Sequence, residues 1–100
     1  MEVNVNDIDK FSKKHGAERT SRLLSALGKD RQFIDAWESP VGKEILGHLL
    51  NIIDQKLDKI INEESTDKDR AEYRVCMEHL LYFKKKINEY EKNLSTLKRG

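Results

Sequence analysis

Residues 67–97 read DKDRAEYRVCMEHLLYFKKKINEYEKNLSTL, and their spacing decides the fold. Tyr73, Cys76, Leu80, Phe83, Ile87, Tyr90, Leu94 and Leu97 fall at steps of 3, 4, 3, 4, 3, 4 and 3. Side chains three and four apart share one face of a helix, so this run predicts one long helix over about 67–97 with a packed apolar seam. The seam does not identify what it packs against.

Working backward, NEESTDKD (62–69) reads as a turn. Ser65 or Thr66 caps the helix that follows, with Asp67 and Asp69 in its first turn, where negative charge suits the helix dipole. Before the turn, Leu46, Leu50, Ile53, Leu57 and Ile60 step by 4, 3, 4 and 3, and Ile45, Leu49, Ile52 and Ile61 widen the face. That pattern predicts a second long helix over about 40–62 with an apolar face broad enough for more than one neighbour. At 1.5 Å per residue the two helices measure about 35 and 46 Å. In an antiparallel hairpin the longer one overhangs by roughly two turns. Tyr90, Leu94 and Leu97 would then pack on N-terminal helices or on another subunit.

DAWESPVGKE (35–44) holds the only tryptophan and the only proline. Proline disfavours helix at the residue before it, so an earlier helix must stop near Trp37 or Glu38. Ser39 then serves as N-cap and Pro40 as the first helical residue, where a missing N–H costs nothing. Gly42 stands where a capping-box glutamate would sit. Upstream of this joint three short helices are expected. The first, about 7–15, is capped by Asn6 and closed by Gly16, with Ile8 and Phe11 as its apolar face. The second, about 17–27, buries Ala17, Leu23, Leu24 and Leu27 and ends at Gly28. The third, about 30–37, carries Phe33, Ile34 and Trp37 on one side. No alternating strand pattern occurs. The expected architecture is all-α: short N-terminal helices packed on a long, coiled-coil-like antiparallel hairpin. The boundary falls between a basic module, 1–38, and the hairpin, 39–100, in one compact domain.

Charged residues are 37% of the 100, against about 25% in an average protein, and the net charge is only +1. The sum conceals an alternation. Residues 1–9 carry −3, residues 10–31 carry +5, residues 32–81 carry −5 and residues 82–100 carry +4. Two basic blocks therefore flank an acidic middle. One cysteine excludes an intrachain disulfide and suggests a reducing compartment. The acidic N-terminus lacks the apolar core of a signal peptide, and the longest apolar run, ILGHLLNII (45–53), is too short to span a bilayer. A cytoplasmic protein with no membrane partner is expected.

Enzyme motifs are missing. There is no nucleophile elbow, phosphate-binding glycine loop or dinucleotide fingerprint, so no catalytic residue or cofactor is assigned. Cys76 and His79 have a metal-site spacing, but no second ligand pair accompanies them and Cys76 lies on the seam, where it reads as a buried structural residue. Glu44 and His48, one turn apart, read as an exposed helical pair rather than part of a zinc motif.

The first basic block has more shape. DKFSKKHGAERTSRLL (9–24) supplies a helix, Gly16, and a second helix opening with Arg19, Thr20 and Arg22. That is the outline of a helix-turn-helix, whose second helix enters the major groove. Lys10, Lys13, Lys14, Arg19 and Arg22 are candidate phosphate contacts, with Thr20 a neutral donor beside them, and the equal alternative is a merely solvated basic face. Two departures are evident: the first helix has two apolar residues, and Arg22 occupies a place usually taken by a buried aliphatic. In YFKKKINEYEK (82–92) the lysines read first as the solvated face of the long helix, with phosphate binding as the minority reading.

A basic helical module followed by a hairpin resembles the small terminase subunits of tailed bacteriophages. The resemblance rests on residues 9–24 and on the 40–97 hairpin. It implies DNA binding by the N-terminal region, self-assembly through the hairpin, and a role in phage DNA handling in the host cytoplasm. The leading expectation is thus a non-enzymatic homo-oligomer that engages DNA or RNA. The alternative is an adaptor or inhibitor of phage or mobile-element type that docks on a host protein through Phe33 and Trp37. The oligomer or partner surface is expected to comprise Phe33, Trp37, Tyr90, Leu94 and Leu97.

Overall fold

The computed structural model describes residues 3–100. They form four helices: α1 (Val5–His15), α2 (Ala17–Glu38), α3 (Pro40–Ile61) and α4 (Asp67–Arg99). The all-α architecture with its α3/α4 hairpin is as the periodicity requires. No helix of the described residues is long and apolar enough to cross a membrane.

The N-terminal elements differ from expectation in two ways. α1 begins earlier, because Asn4 rather than Asn6 is the N-cap, its side chain accepting from the Asn6 N–H at 2.8 Å. Gly16 closes α1 as expected, at φ 89°, with its N–H on Ser12 O. The larger difference is that α2 does not end at Gly28 but runs unbroken to Glu38. Thr20, Leu23, Leu27, Asp30, Ile34 and Trp37 step by 3, 4, 3, 4 and 3 across the glycine. All six are buried or half-buried, so packing carries the helix through a residue that only mildly disfavours it. Two polar members, Thr20 and Asp30, disguise this seam in the sequence. Ala17, outside it, is exposed.

Two compact units divide the chain, with breaks at 34/35 and 85/86. The terminal unit comprises the chain up to Ile34 with Lys86–Gly100, and the hairpin unit is Asp35–Lys85. In the terminal unit Phe11, Leu27, Ile34, Tyr90, Leu94 and Leu97 form the core, with Ile8, Leu23, Leu24 and Ile87 packed against it. Asp30, buried on the α2 seam, accepts the Lys86 ammonium at 3.5 Å. Lys98 reaches Asp7 of α1 at 3.4 Å.

In the hairpin unit Ile53 and Cys76 are buried, and the Trp37 and Phe83 rings lie 5.9 Å apart, tilted by 54°. The joint forms as the sequence implies. Ser39 is the only residue between α2 and α3, its hydroxyl accepting from the Gly42 N–H at 3.1 Å and donating to Ala36 O at 2.6 Å. So abrupt a turn brings α3 onto the last carbonyls of α2 and leaves no room for a side chain at Gly42.

The α3/α4 turn closes with a Schellman arrangement. Glu64 N–H bonds Lys59 O at 2.8 Å and Glu63 N–H bonds Ile60 O at 3.2 Å, with Glu63 in the left-handed region at φ 57°. Thr66 and Asp69 then cap α4 reciprocally: the Asp69 N–H donates to Thr66 Oγ1 at 3.2 Å and the Thr66 N–H to Asp69 Oδ2 at 3.0 Å. The other Asp69 oxygen takes the Lys56 ammonium at 2.7 Å. Lys56 also reaches Glu72 at 3.2 Å. This buried acid ties the hairpin's turn to its register.

Lys56 and then the Thr66 N–H hold the Asp69 carboxyl well below the usual carboxylate range, while Asp69 and then Glu72 raise the Lys56 ammonium above its ordinary 10.5. A lowered folded pKa stabilises above the unfolded value, about 4 for aspartate, and the stabilisation disappears as pH falls through the folded value. The raised Lys56 contributes fully below its ordinary value and loses its share as pH rises through the folded one. Asp69→Asn is therefore expected to melt below the wild type at neutral pH, with the gap closing as the solution is taken below about pH 4. Thermal denaturation followed by circular dichroism over a pH series measures this, and a gap independent of pH would refute the charge contribution.

Candidate nucleic-acid interface

Folding collects the two basic blocks. The terminal unit has eleven Lys/Arg against seven Asp/Glu, a net +4, and the hairpin unit has eight against eleven, a net −3. Lys10, Lys13 and Lys14 of α1 line one depression together with Arg99 from the end of α4. His15, Arg19 and Arg22 line a second around the Gly16 joint.

The candidates are not equivalent. Lys10, Lys14 and Arg19 are exposed and pair with no carboxylate among the described residues. Lys13 pairs with Asp9 at 3.0 Å and Arg22 with Glu18 at 2.6 Å, both one turn apart on their helices. Such exposed pairs contribute little to stability and exchange readily for another anion. Arg31 lies over the Tyr90 ring, 5.7 Å from its centroid.

Thr20 is a correction. It is 5% exposed, and its hydroxyl donates to Gly16 O at 2.7 Å, so it faces the core and offers no donor to a ligand. The α2 seam places it there: three residues before Leu23 and seven before Leu27, it shares their face. The helix-turn-helix outline is also altered. A single residue, Gly16, separates α1 from α2, where such motifs have a turn of three or four.

The expected oligomer surface needs a second correction. Tyr90, Leu94 and Leu97 are 8%, 1% and 0% exposed and form the terminal core against α1 and α2. Of the two expected coverings for this end of the seam, the N-terminal helices supply it within the chain. Phe33 and Trp37 are half-buried, Trp37 against Phe83. Cys76 is buried and His79 exposed, so the two do not share an environment.

Sequence reasoning did not place Arg99 beside Lys10, Lys13 and Lys14. The +4 charge of residues 82–100 was the available signal, but seam spacing alone did not say which helices α4 would meet. The fold and surface together define a small all-α protein with a cationic terminal unit. No family model matches the chain, nor does any curated protein or solved structure.

Proposed function

We propose that the protein is a non-enzymatic binding protein whose terminal unit engages the phosphate backbone of a nucleic acid. The observation that carries this reading is the convergence of Lys10, Lys13 and Lys14 with Arg99, cations from opposite ends of the chain, on one depression. Bringing like charges together opposes folding unless an anion or solvent screens them, and a polyphosphate supplies anions at regular spacing. Phosphate contacts of this kind position a protein without reading bases. A part in phage DNA handling, as the terminase resemblance implies, is the specific form of this reading.

Titration of labelled duplex DNA, single-stranded DNA and RNA at several salt concentrations tests it. Affinity should fall steeply with salt, and Lys10→Gln/Lys14→Gln/Arg99→Gln should reduce the slope of log K against log salt by roughly 2 to 3, near 0.9 per neutralised phosphate for duplex DNA. These side chains lie outside the core, so helicity should be unchanged. Absence of binding tighter than about 10⁻⁴ M at low salt would eliminate the reading.

A second reading concerns self-association, favoured by the hairpin unit's exposed apolar side chains. Val41, Ile45, Leu50, Ile61, Val75, Leu81 and Tyr82 are 46% to 67% exposed. The expected partner is a second copy, because Val41 and Ile45 share one side of α3, as Val75 and Tyr82 share one side of α4, and closed symmetric assemblies dominate among soluble oligomers. Sedimentation should report a dimer or larger oligomer, and Ile45→Glu/Tyr82→Glu should yield a folded monomer. A strict monomer at high micromolar concentration would remove this reading. It would also return the docking alternative through Phe33 and Trp37 to first place among protein-binding roles.

A further inference from the structure

A groove between α2 and the C-terminal part of α4, wholly within the terminal unit, is lined by Ser21, Arg22, Ser25, Lys29, Lys92 and Asn93, with Asp30, Lys86 and Glu89 among its remaining walls. We infer that this groove is a second phosphate-contacting surface, continuous with the depression around the Gly16 joint, and that a nucleic-acid backbone passes through it. The inference rests on the phosphate-backbone reading above and adds residues that reading does not use.

The charges in the groove sort into two sets. Its two acids are occupied: Lys86 reaches Asp30 at 3.5 Å and Glu89 at 3.6 Å. Lys29 from α2 and Lys92 from α4 pair with no carboxylate among the described residues, and both are exposed. Two helices thus direct unneutralised ammonium groups to the walls of one groove. Neutral donors line the same groove: Ser21 and Ser25, one turn apart on α2, and the Asn93 amide. Ammonium, hydroxyl and amide groups together are the donor set that phosphate oxygens accept from.

Continuity comes from Arg22, which lines both this groove and the depression around the Gly16 joint with Arg19. Its partner Glu18 is as exposed as Arg22 itself, so an incoming phosphate can replace that carboxylate without uncovering a buried charge. A path of cations therefore runs from Arg19 through Arg22 to Lys29 and Lys92. The ligand chemistry it fits is a phosphodiester chain.

The test uses the full chain and two charge-neutralised variants, Lys29→Gln/Lys92→Gln in the groove and Lys68→Gln on the hairpin unit as control. Labelled duplex DNA and a single-stranded RNA of equal length are titrated over a salt series, with inorganic phosphate as competitor. The groove variant should keep its helicity, bind more weakly, and show a salt slope reduced by roughly 2 on duplex DNA, while the control matches wild type. Retention of the slope on duplex DNA but its reduction on RNA supports the groove with a single strand as its ligand. Wild-type binding with the groove variant unchanged on both probes overturns the groove while leaving the Lys10, Lys14 and Arg99 surface in place. No binding by wild type overturns both, and equal competition by millimolar inorganic phosphate overturns a polymer as the ligand.

Discussion

Leu94→Asp is expected to unfold the terminal unit, a loss larger than any surface substitution should produce. Leu94 is 1% exposed and sits among Phe11, Leu27, Ile34, Tyr90 and Leu97. A carboxylate there has no partner and loses its hydration, a penalty of several kcal/mol added to the lost apolar burial. The milder Leu94→Ala should cost about 2–5 kcal/mol, through lost transfer energy and the cavity left behind. Against a total stability of about 5–15 kcal/mol for a small domain, the aspartate variant should show little native helix at 25 °C and the alanine variant a depressed, still cooperative melt. Circular dichroism with thermal melting measures both. A Leu94→Asp protein that kept wild-type helicity and melting but lost only its self-association would mean that Leu94 serves a subunit contact rather than the terminal core.

Gly42→Ala is expected to destabilise, while the same change at Gly28 or Gly47 stabilises. A Cβ at Gly42 would stand 2.3 Å from Ala36 O, 2.5 Å from Trp37 O and 2.6 Å from Trp37 C. These are backbone atoms of α2, so relief requires moving one helix end away from the other. Overpacking of this kind costs about 1–3 kcal/mol, and rigid neighbours place Gly42 toward the upper end. Gly28 and Gly47 lie within helices, and a methyl group added at either would meet nothing within 4 Å. Alanine at these two positions should gain about 0.5–1 kcal/mol through helix propensity. Opposite signs in three otherwise identical substitutions isolate the close approach at the joint. A stabilised Gly42→Ala would contradict it, and a destabilised Gly28→Ala would contradict the continuity of α2.

The hairpin was legible because its information is local and periodic. Eight seam positions from Tyr73 to Leu97 define α4 without reference to any partner, and all eight are buried or half-buried. Ser39, Pro40 and Gly42 likewise declare the joint through short-range rules of proline geometry and capping. Thr66 does the same for the start of α4. Even Gly16 reads correctly, since a positive φ at a helix end is a requirement on one residue.

What the local rules misjudged depends on contacts between distant residues. Gly28 looks like a helix end, and only the burial of Leu27, Asp30 and Ile34 on one continuous face shows why α2 passes through it. Asp30 could not be read as a seam residue, because its burial requires Lys86, which lies 56 positions further along the chain. Thr20 looked like an exposed donor because its inward face follows from the same hidden seam. The two basic blocks were plain in the composition, yet their union was not. By itself the sequence determined α3 and α4, the joint and turn that bound them, and the alternation of charge, all of which arise from neighbours within a turn or two. Tertiary structure alone decided that the end of α4 packs on α1 and α2, burying Leu94 and Leu97 and setting Arg99 beside Lys10 and Lys14. Apolar seams are interchangeable at the level of spacing, and only three-dimensional packing selects which of them meet.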